Sequence, residues 1–368
     1  GGLDLSDWTI DGLKLNVGLR YSWDDVWACG GADPDDKFSY MSVGRCKKVA
    51  ARNNSEDGVG TIKNSGGAPS WTIGLDWQMS QETLLYVTSR RGYRGVNVNT
   101  PAFETTLTTG GSTGCGVALG APAGTRGPDP CPNLLAFQET DKETLTDLEF
   151  GVKHDFVAGD MAGRFNAAAY INKYKNAVQF VNVTGLGIPL DAPDAPTNSA
   201  MGVNAADLTI QGVEADLTLL PVESLILTLT AAYTDQKIDS VDAPSTTGLT
   251  LTEDQITLPS PEFTATFGFN WTLPVHPLDG DLLFVGDYYH TGDFGGQNGE
   301  NLPGYNIANF RFGWNDINRS GFNIAAYAKN AFDEEYYASP IVLLPAFPVA
   351  AVMPGEPRTY GIEATFKF

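Results

Sequence analysis

The sequence predicts an all-β chain folded as a transmembrane antiparallel β-barrel. Two patterns lead there. Apolar and polar residues alternate with period two in segment after segment, and short and long connections alternate strictly between those segments. Period two places successive side chains on opposite faces of a strand. No comparable segment shows the spacing of a helix face.

Thirteen strands are expected, near 3–10, 13–27, 70–79, 83–95, 143–156, 161–180, 203–220, 224–238, 258–273, 280–292, 303–315, 320–337 and 356–368. In the third, Trp71, Ile73, Leu75, Trp77 and Met79 oppose Thr72, Gly74, Asp76 and Gln78. In the fifth, Leu148, Phe150, Val152 and Phe156 oppose Asp147, Glu149, Gly151, Lys153 and Asp155. Val213, Ala215, Leu217 and Leu219 face away from Glu214, Asp216 and Thr218 in the seventh. The ninth sets Phe263, Ala265, Phe267, Phe269 and Trp271 against Thr264, Thr266, Gly268 and Asn270. The eleventh sets Phe310, Phe312 and Trp314 against Asn309, Arg311 and Gly313. Segments 83–92 and 282–288 alternate poorly, so their facing stays open.

The tight connections are Asp11-Gly12, Ser80-Gln81-Glu82, Ala158-Gly159-Asp160, Pro221-Val222-Glu223 and 315–319, with 274–280 a little longer. Between them come 28–69, 96–142, 181–202, 239–257, 293–302 and 338–355. With antiparallel neighbours, all short turns fall at one end of the sheet and all long loops at the other. An outer-membrane barrel sorts its connections this way, short ones in the periplasm and long ones outside the cell. A soluble sandwich has no reason to. Aromatics near strand ends (Trp23, Trp27, Trp77, Trp271, Trp314, Tyr336, Tyr337) suit a membrane-interface belt. Charged residues in mid-strand on the opposite face suit a hydrated lumen.

Composition removes other classes. A net charge of -21, with no Lys/Arg cluster, argues against nucleic acid as a partner. A hydrophobic share of 42% is too high for a disordered chain. The longest apolar stretch, 341–353, is broken by Pro345 and Pro348, so no spanning helix is expected. It falls in the last outer loop, where it either covers the barrel mouth, meets a partner or lipid, or extends the flanking strands. The chain starts at Gly1 without a signal-like segment and reads as a fragment or a processed chain.

The four cysteines form two local pairs, Cys29 with Cys46 and Cys115 with Cys131, in Gly-, Asp- and Pro-rich stretches. No Cys-x-x-Cys occurs and no His lies near, which argues against zinc. Two loop disulfides in an oxidising compartment fit; four free thiols are the alternative. Of the three possible connectivities, the local one costs least loop entropy. Asp33, Asp35 and Asp36 lack the glycine and terminal glutamate of a calcium loop and read as a solvated acidic loop. No metal or cofactor is expected.

At six places the residues resemble strand motifs of TonB-dependent outer-membrane receptors. They are Leu84 to Gly95 (LLYVTSRRGYRG) with Asn97 and Asn99, and Glu143-Thr144 with Leu148 to Lys153 (LEFGVK), where Lys142 replaces the usual proline. Gln211-Gly212-Val213-Glu214, Leu302-Pro303-Gly304-Tyr305, Lys329 to Tyr337 (KNAFDEEYY) and Pro357 to Phe368 complete the set, in family order. The resemblance implies a barrel of about 22 strands around an N-terminal plug, so residues 1–368 are expected to be the C-terminal portion, with the plug and about nine strands upstream. It implies import of a scarce solute, chiefly a ferric siderophore or other metal chelate, energised by the TonB–ExbB–ExbD system through the plug. The alternative is a passive porin-like or structural barrel.

An enzyme is not expected, since His154, His276 and His290 have no Ser or acid partner at motif spacing. Candidate ligand contacts are Tyr93, Tyr289, His290 and Arg311, chosen for rim or lumen position and chemistry. Their bland reading is girdle and lumen packing or, for His290, a solvated side chain. The last strand, with Tyr360, Ile362, Ala364, Phe366 and Phe368 toward lipid and Gly361 toward the lumen, resembles the signal that engages the barrel assembly machinery. Outer-membrane lipid and lipopolysaccharide are the remaining expected partners, and the Gram-negative outer membrane the location.

Overall fold

The computed structural model describes residues 2–4, 10–29, 61–98, 139–182, 200–242, 251–253, 256, 258, 260–295, 301–342 and 350–367. Thirteen strands form one antiparallel sheet in which each pairs with the next in sequence. They are β1 Gly2–Asp4, β2 Leu13–Cys29, β3 Thr61–Gln78, β4 Thr83–Arg94, β5 Glu143–Ala158, β6 Met161–Asn182 and β7 Ala200–Val222, followed by β8 Leu225–Val241, β9 Phe263–Thr272, β10 Asp281–Thr291, β11 Tyr305–Ile317, β12 Phe322–Lys329 and β13 Thr359–Phe366. Each expected strand is present. A 3₁₀ turn, Pro277–Asp279, lies in the connection before β10.

The two largest boundary differences each have a local reason. β3 begins at Thr61 instead of 70, because its ladder with β2 continues to Cys29↔Thr61 through a run of small residues. The run must be small: a Cβ on Gly67 would lie 2.9 Å from the Trp23 ring. β12 ends at Lys329 instead of 337. Asn330, at φ +46, turns the chain out of the ladder, and its side chain bonds Glu334 O, Glu356 O and Glu334 N at 2.8 to 3.1 Å.

Register settles the facing of every strand. Leu75, Val87, Phe150, Ala169, Val213, Tyr233 and Phe263 form one unbroken apolar row across β3 to β9. Phe284, Phe312, Ala326 and Ile362 continue that face across β10 to β13. One residue along, the row is Asp76, Tyr86, Gly151, Ala168, Glu214 and Ala232. The poorly alternating β4 and β10 are thereby assigned: Leu85, Val87, Phe284 and Tyr288 share the apolar face.

Among the described residues that face is not packed against protein. Leu19 and Tyr360 are each 80% exposed and Ile362 is 76% exposed. In water such a continuous surface would be an association site; in hydrocarbon it is the required one. Trp77, Trp271 and Trp314 stand on it at the short-turn end, opposite Leu85, Phe284 and Ile324 respectively, where indoles favour the interface.

At the other end the long loops root in short separate ladders. Asn97–Val98 pairs with Glu139–Thr140, Phe294–Gly295 with Asn301–Leu302, and Tyr337–Val342 with Ala350–Pro354. The last contains both ends of the apolar stretch 341–353. Residues 341–342 and 350–353 therefore continue the flanking strands as a two-stranded ladder, with Val352 and Met353 exposed.

Candidate functional site

The polar face, which lines the interior of a barrel, is built from locally neutralised charges. Arg90 donates from Nε to Asp147 Oδ2 at 2.7 Å and also pairs with Glu149. Glu149 in turn accepts the Tyr86 hydroxyl at 2.7 Å. Arg164 meets Asp155 at 2.5 Å, and Arg311 meets Glu363 at 3.2 Å. The Arg164 and Arg311 pairs are half open to solvent and worth at most about 1 kcal/mol each, whereas the Asp147 carboxylate that Arg90 meets is buried. Their effect is to hold long side chains flat along the wall.

At the long-loop end a second network is buried. Glu143 is 1% exposed. It accepts the Tyr174 hydroxyl at 2.8 Å and the Val178 amide at 2.6 Å, and pairs with Arg94. Around it, Asn204 exchanges bonds with Asp141 and donates to Asn176 O. Asn64 donates to both Asn97 O and Thr140 O at 2.9 Å. Lys142, where the resembling motif has proline, donates to Gly67 O at 2.8 Å. Roots of the long connections beginning near 98 and 182 are tied to the sheet by this set.

A third feature lies at the same end, on the polar face of β10 and β11. Tyr289 and Tyr305 are 5.9 Å apart between ring centroids, Phe294 lies 6.4 Å from Tyr305, and Tyr336 lies 4.4 Å from Tyr305. Tyr336 is fixed from below by Gly355, which it covers, and its hydroxyl accepts the Glu356 amide at 3.2 Å. The four rings form an aromatic shelf at the mouth. Planar, half-buried rings with hydroxyl edges suit a flat or partly apolar solute that also offers hydrogen-bonding groups.

The candidate contacts separate. Tyr289 stands on the polar face opposite Thr266 and Ile307, inside the shelf. Arg311 shares that face but is already paired with Glu363. His290, one residue on from Tyr289, turns to the apolar face. Its Nδ1 lies 2.8 Å from Asn306 Oδ1 and its ring 5.7 Å from Phe263. Tyr93 belongs to the far side of the sheet, its hydroxyl donating to Asp24 Oδ2 at 2.6 Å.

Phe294, Tyr305 and Tyr336 were not among the expected contacts. Counting parity from Arg311 puts Tyr305 on the polar face, but nothing in the sequence brings Tyr336 to it. Cys29 ends β2, whereas Cys46, Cys115 and Cys131 lie outside the described residues, as do Asp33, Asp35 and Asp36. In β13, Tyr360, Ile362, Ala364 and Phe366 lie in register with the apolar side of β12, and Gly361 opposes Tyr327. Phe368 lies outside the described residues.

Similarity to known proteins agrees with this architecture. The ferric yersiniabactin uptake receptor FyuA of Yersinia pestis aligns over 100% of the chain and 44% of its own length, at 14% identity and a TM-score of 0.62. The ferric-catecholate import receptor Fiu of E. coli K12 aligns over 98% and 43%, at 16% identity and a TM-score of 0.56. The copper transporter OprC aligns over 97% and 47%, at 16% identity and a TM-score of 0.58. The chain thus spans less than half the length of these receptors, and the likeness shows the fold. No curated protein matches it by sequence. The family model "TonB dependent receptor-like, beta-barrel" matches residues 5–331, so the chain belongs to the TonB-dependent receptor β-barrel family.

Proposed function

We propose that the chain is the C-terminal portion of the barrel of an outer-membrane receptor that imports a metal chelate, most simply a ferric siderophore, with energy delivered through TonB and its ExbB–ExbD motor. The observation carrying this reading is the aromatic shelf of Tyr289, Phe294, Tyr305 and Tyr336 at the long-loop mouth of the polar face. Support for the cargo class comes from the relatives, named for ferric yersiniabactin, ferric catecholate and copper. In this reading the long loops lie outside the cell, the short turns in the periplasm, and the plug precedes residue 1. The two loop disulfides, Cys29–Cys46 and Cys115–Cys131, belong to it as well, and peptide mapping without reductant checks them. So does assembly of the barrel from its terminal strand.

The test is growth under iron limitation. A strain lacking the full-length receptor is supplied with single ferric chelates, and the gene is restored with or without Tyr305→Ala. The proposal expects at least one chelate that supports growth only with the gene, and less well with the variant. Growth on every chelate without the gene would refute it.

A further inference from the structure

We propose that the connection 273–280 is a membrane foot, seating Val275 and Leu278 in the phospholipid headgroup zone on the short-turn side. The inference goes beyond solute uptake and rests only on the apolar face meeting lipid.

Four observations carry it. First, Val275 is 50% and Leu278 58% exposed, two bulky apolar side chains in one connection, where Asp11-Gly12, Ser80-Gln81-Glu82 and Ala158-Gly159-Asp160 offer none and Pro221-Val222-Glu223 offers only Val222, 54% exposed. Second, Leu278 stands at φ +51 and Asp279 at φ +54. A branched side chain there is sterically disfavoured, and glycine would make the turn without conflict. The fold keeps a leucine where chain geometry argues against it. Third, the turn is fastened to its neighbour. The Trp314 indole donates to Pro277 O at 3.0 Å, the Asn318 amide donates to Leu278 O at 2.7 Å, and Arg319 pairs with Asp279 at 3.8 Å. Gly280 lies against Trp314: a Cβ there would be 2.8 Å from its Nε1.

Fourth, Trp314 stands on the apolar face, between Leu282 and Ile324 in register. A turn held by its indole is therefore held on the lipid side of the strand ends. Apolar side chains beside an interfacial tryptophan sit best at the boundary of headgroup and acyl chain. The turn's polar groups, His276 Nδ1 3.0 Å from Asp281 Oδ1 and Asp279 paired with Arg319, are matched to one another and suit that polar zone.

The test uses the full-length receptor in phosphatidylcholine vesicles. Leu278→Cys carries an environment-sensitive thiol dye, with peptide mapping confirming the labelled position. Glu223→Cys, in the neighbouring short turn, is the control, and heat-modifiable migration confirms that both variants fold. The proposal expects the dye at 278 to be blue-shifted, quenched by a headgroup-nitroxide lipid and shielded from aqueous iodide, with 223 showing the reverse. Iodide quenching at 278 equal to that at 223 would overturn it. So would shielding from both quenchers, which would mean that protein rather than lipid covers the turn.

Discussion

The Tyr327 hydroxyl occupies the space that a side chain on Gly361 would need: a Cβ on Gly361 would lie 2.7 Å from that oxygen. The two residues are direct partners in the β12–β13 ladder, on the polar face. The arrangement recurs. Tyr86 covers its partner Gly151, and Tyr170 covers its partner Gly212, both also on the polar face. A tyrosine laid over an opposing glycine buries both strands' backbone and fixes register, because a slip of one residue would place the ring against a side chain. Gly361→Val should therefore destabilise the folded barrel by about 1–3 kcal/mol through overpacking. Tyr327→Ala in the same chain should recover part of that loss. Urea titrations of heat-modifiable migration measure both; equal midpoints for wild type and Gly361→Val would remove the account.

Asn330→Ala should be costlier than its position in a turn suggests. The residue is 3% exposed, carries three side-chain hydrogen bonds and holds a positive φ that asparagine tolerates better than alanine. A loss of about 1–3 kcal/mol is expected from the orphaned backbone groups. Because the bonds fix 334 and 356, on either side of Tyr336, solute affinity should fall too. The two effects are read by urea titration and by binding of the cognate chelate.

Phe366→Asp should reduce the amount of folded receptor in the outer membrane and leave binding by the surviving fraction unchanged. Phe366 is 55% exposed on the apolar face of β13, so a carboxylate there meets lipid. Quantifying heat-modifiable receptor in membrane fractions against bound chelate per folded molecule separates the two. Wild-type levels of folded protein would contradict the assembly role of this strand.

Much of the fold is legible because period and connection length are local properties. Val213-Glu214-Ala215-Asp216 declares two faces wherever it sits, and Ala158-Gly159-Asp160 declares a turn. The β3 start was missed because Asn64 to Pro69 has no alternation; the reason for its small residues, Trp23 on the partner strand, is a cross-strand fact. The site is less legible. Tyr289 is found from its position, yet Tyr336 reaches it only through the Asn330 corner. His290 shows the limit most plainly: one step of register moves a side chain from the interior to the lipid face.

The central claim, energised import through the polar interior, is tested most directly by uptake of a radiolabelled ferric chelate. Cells carrying the full-length receptor are compared with and without an intact TonB gene. The account predicts saturable accumulation that requires the receptor, disappears without TonB and falls in Tyr305→Ala. Accumulation that persists without TonB and rises linearly with concentration would identify a passive barrel and contradict it.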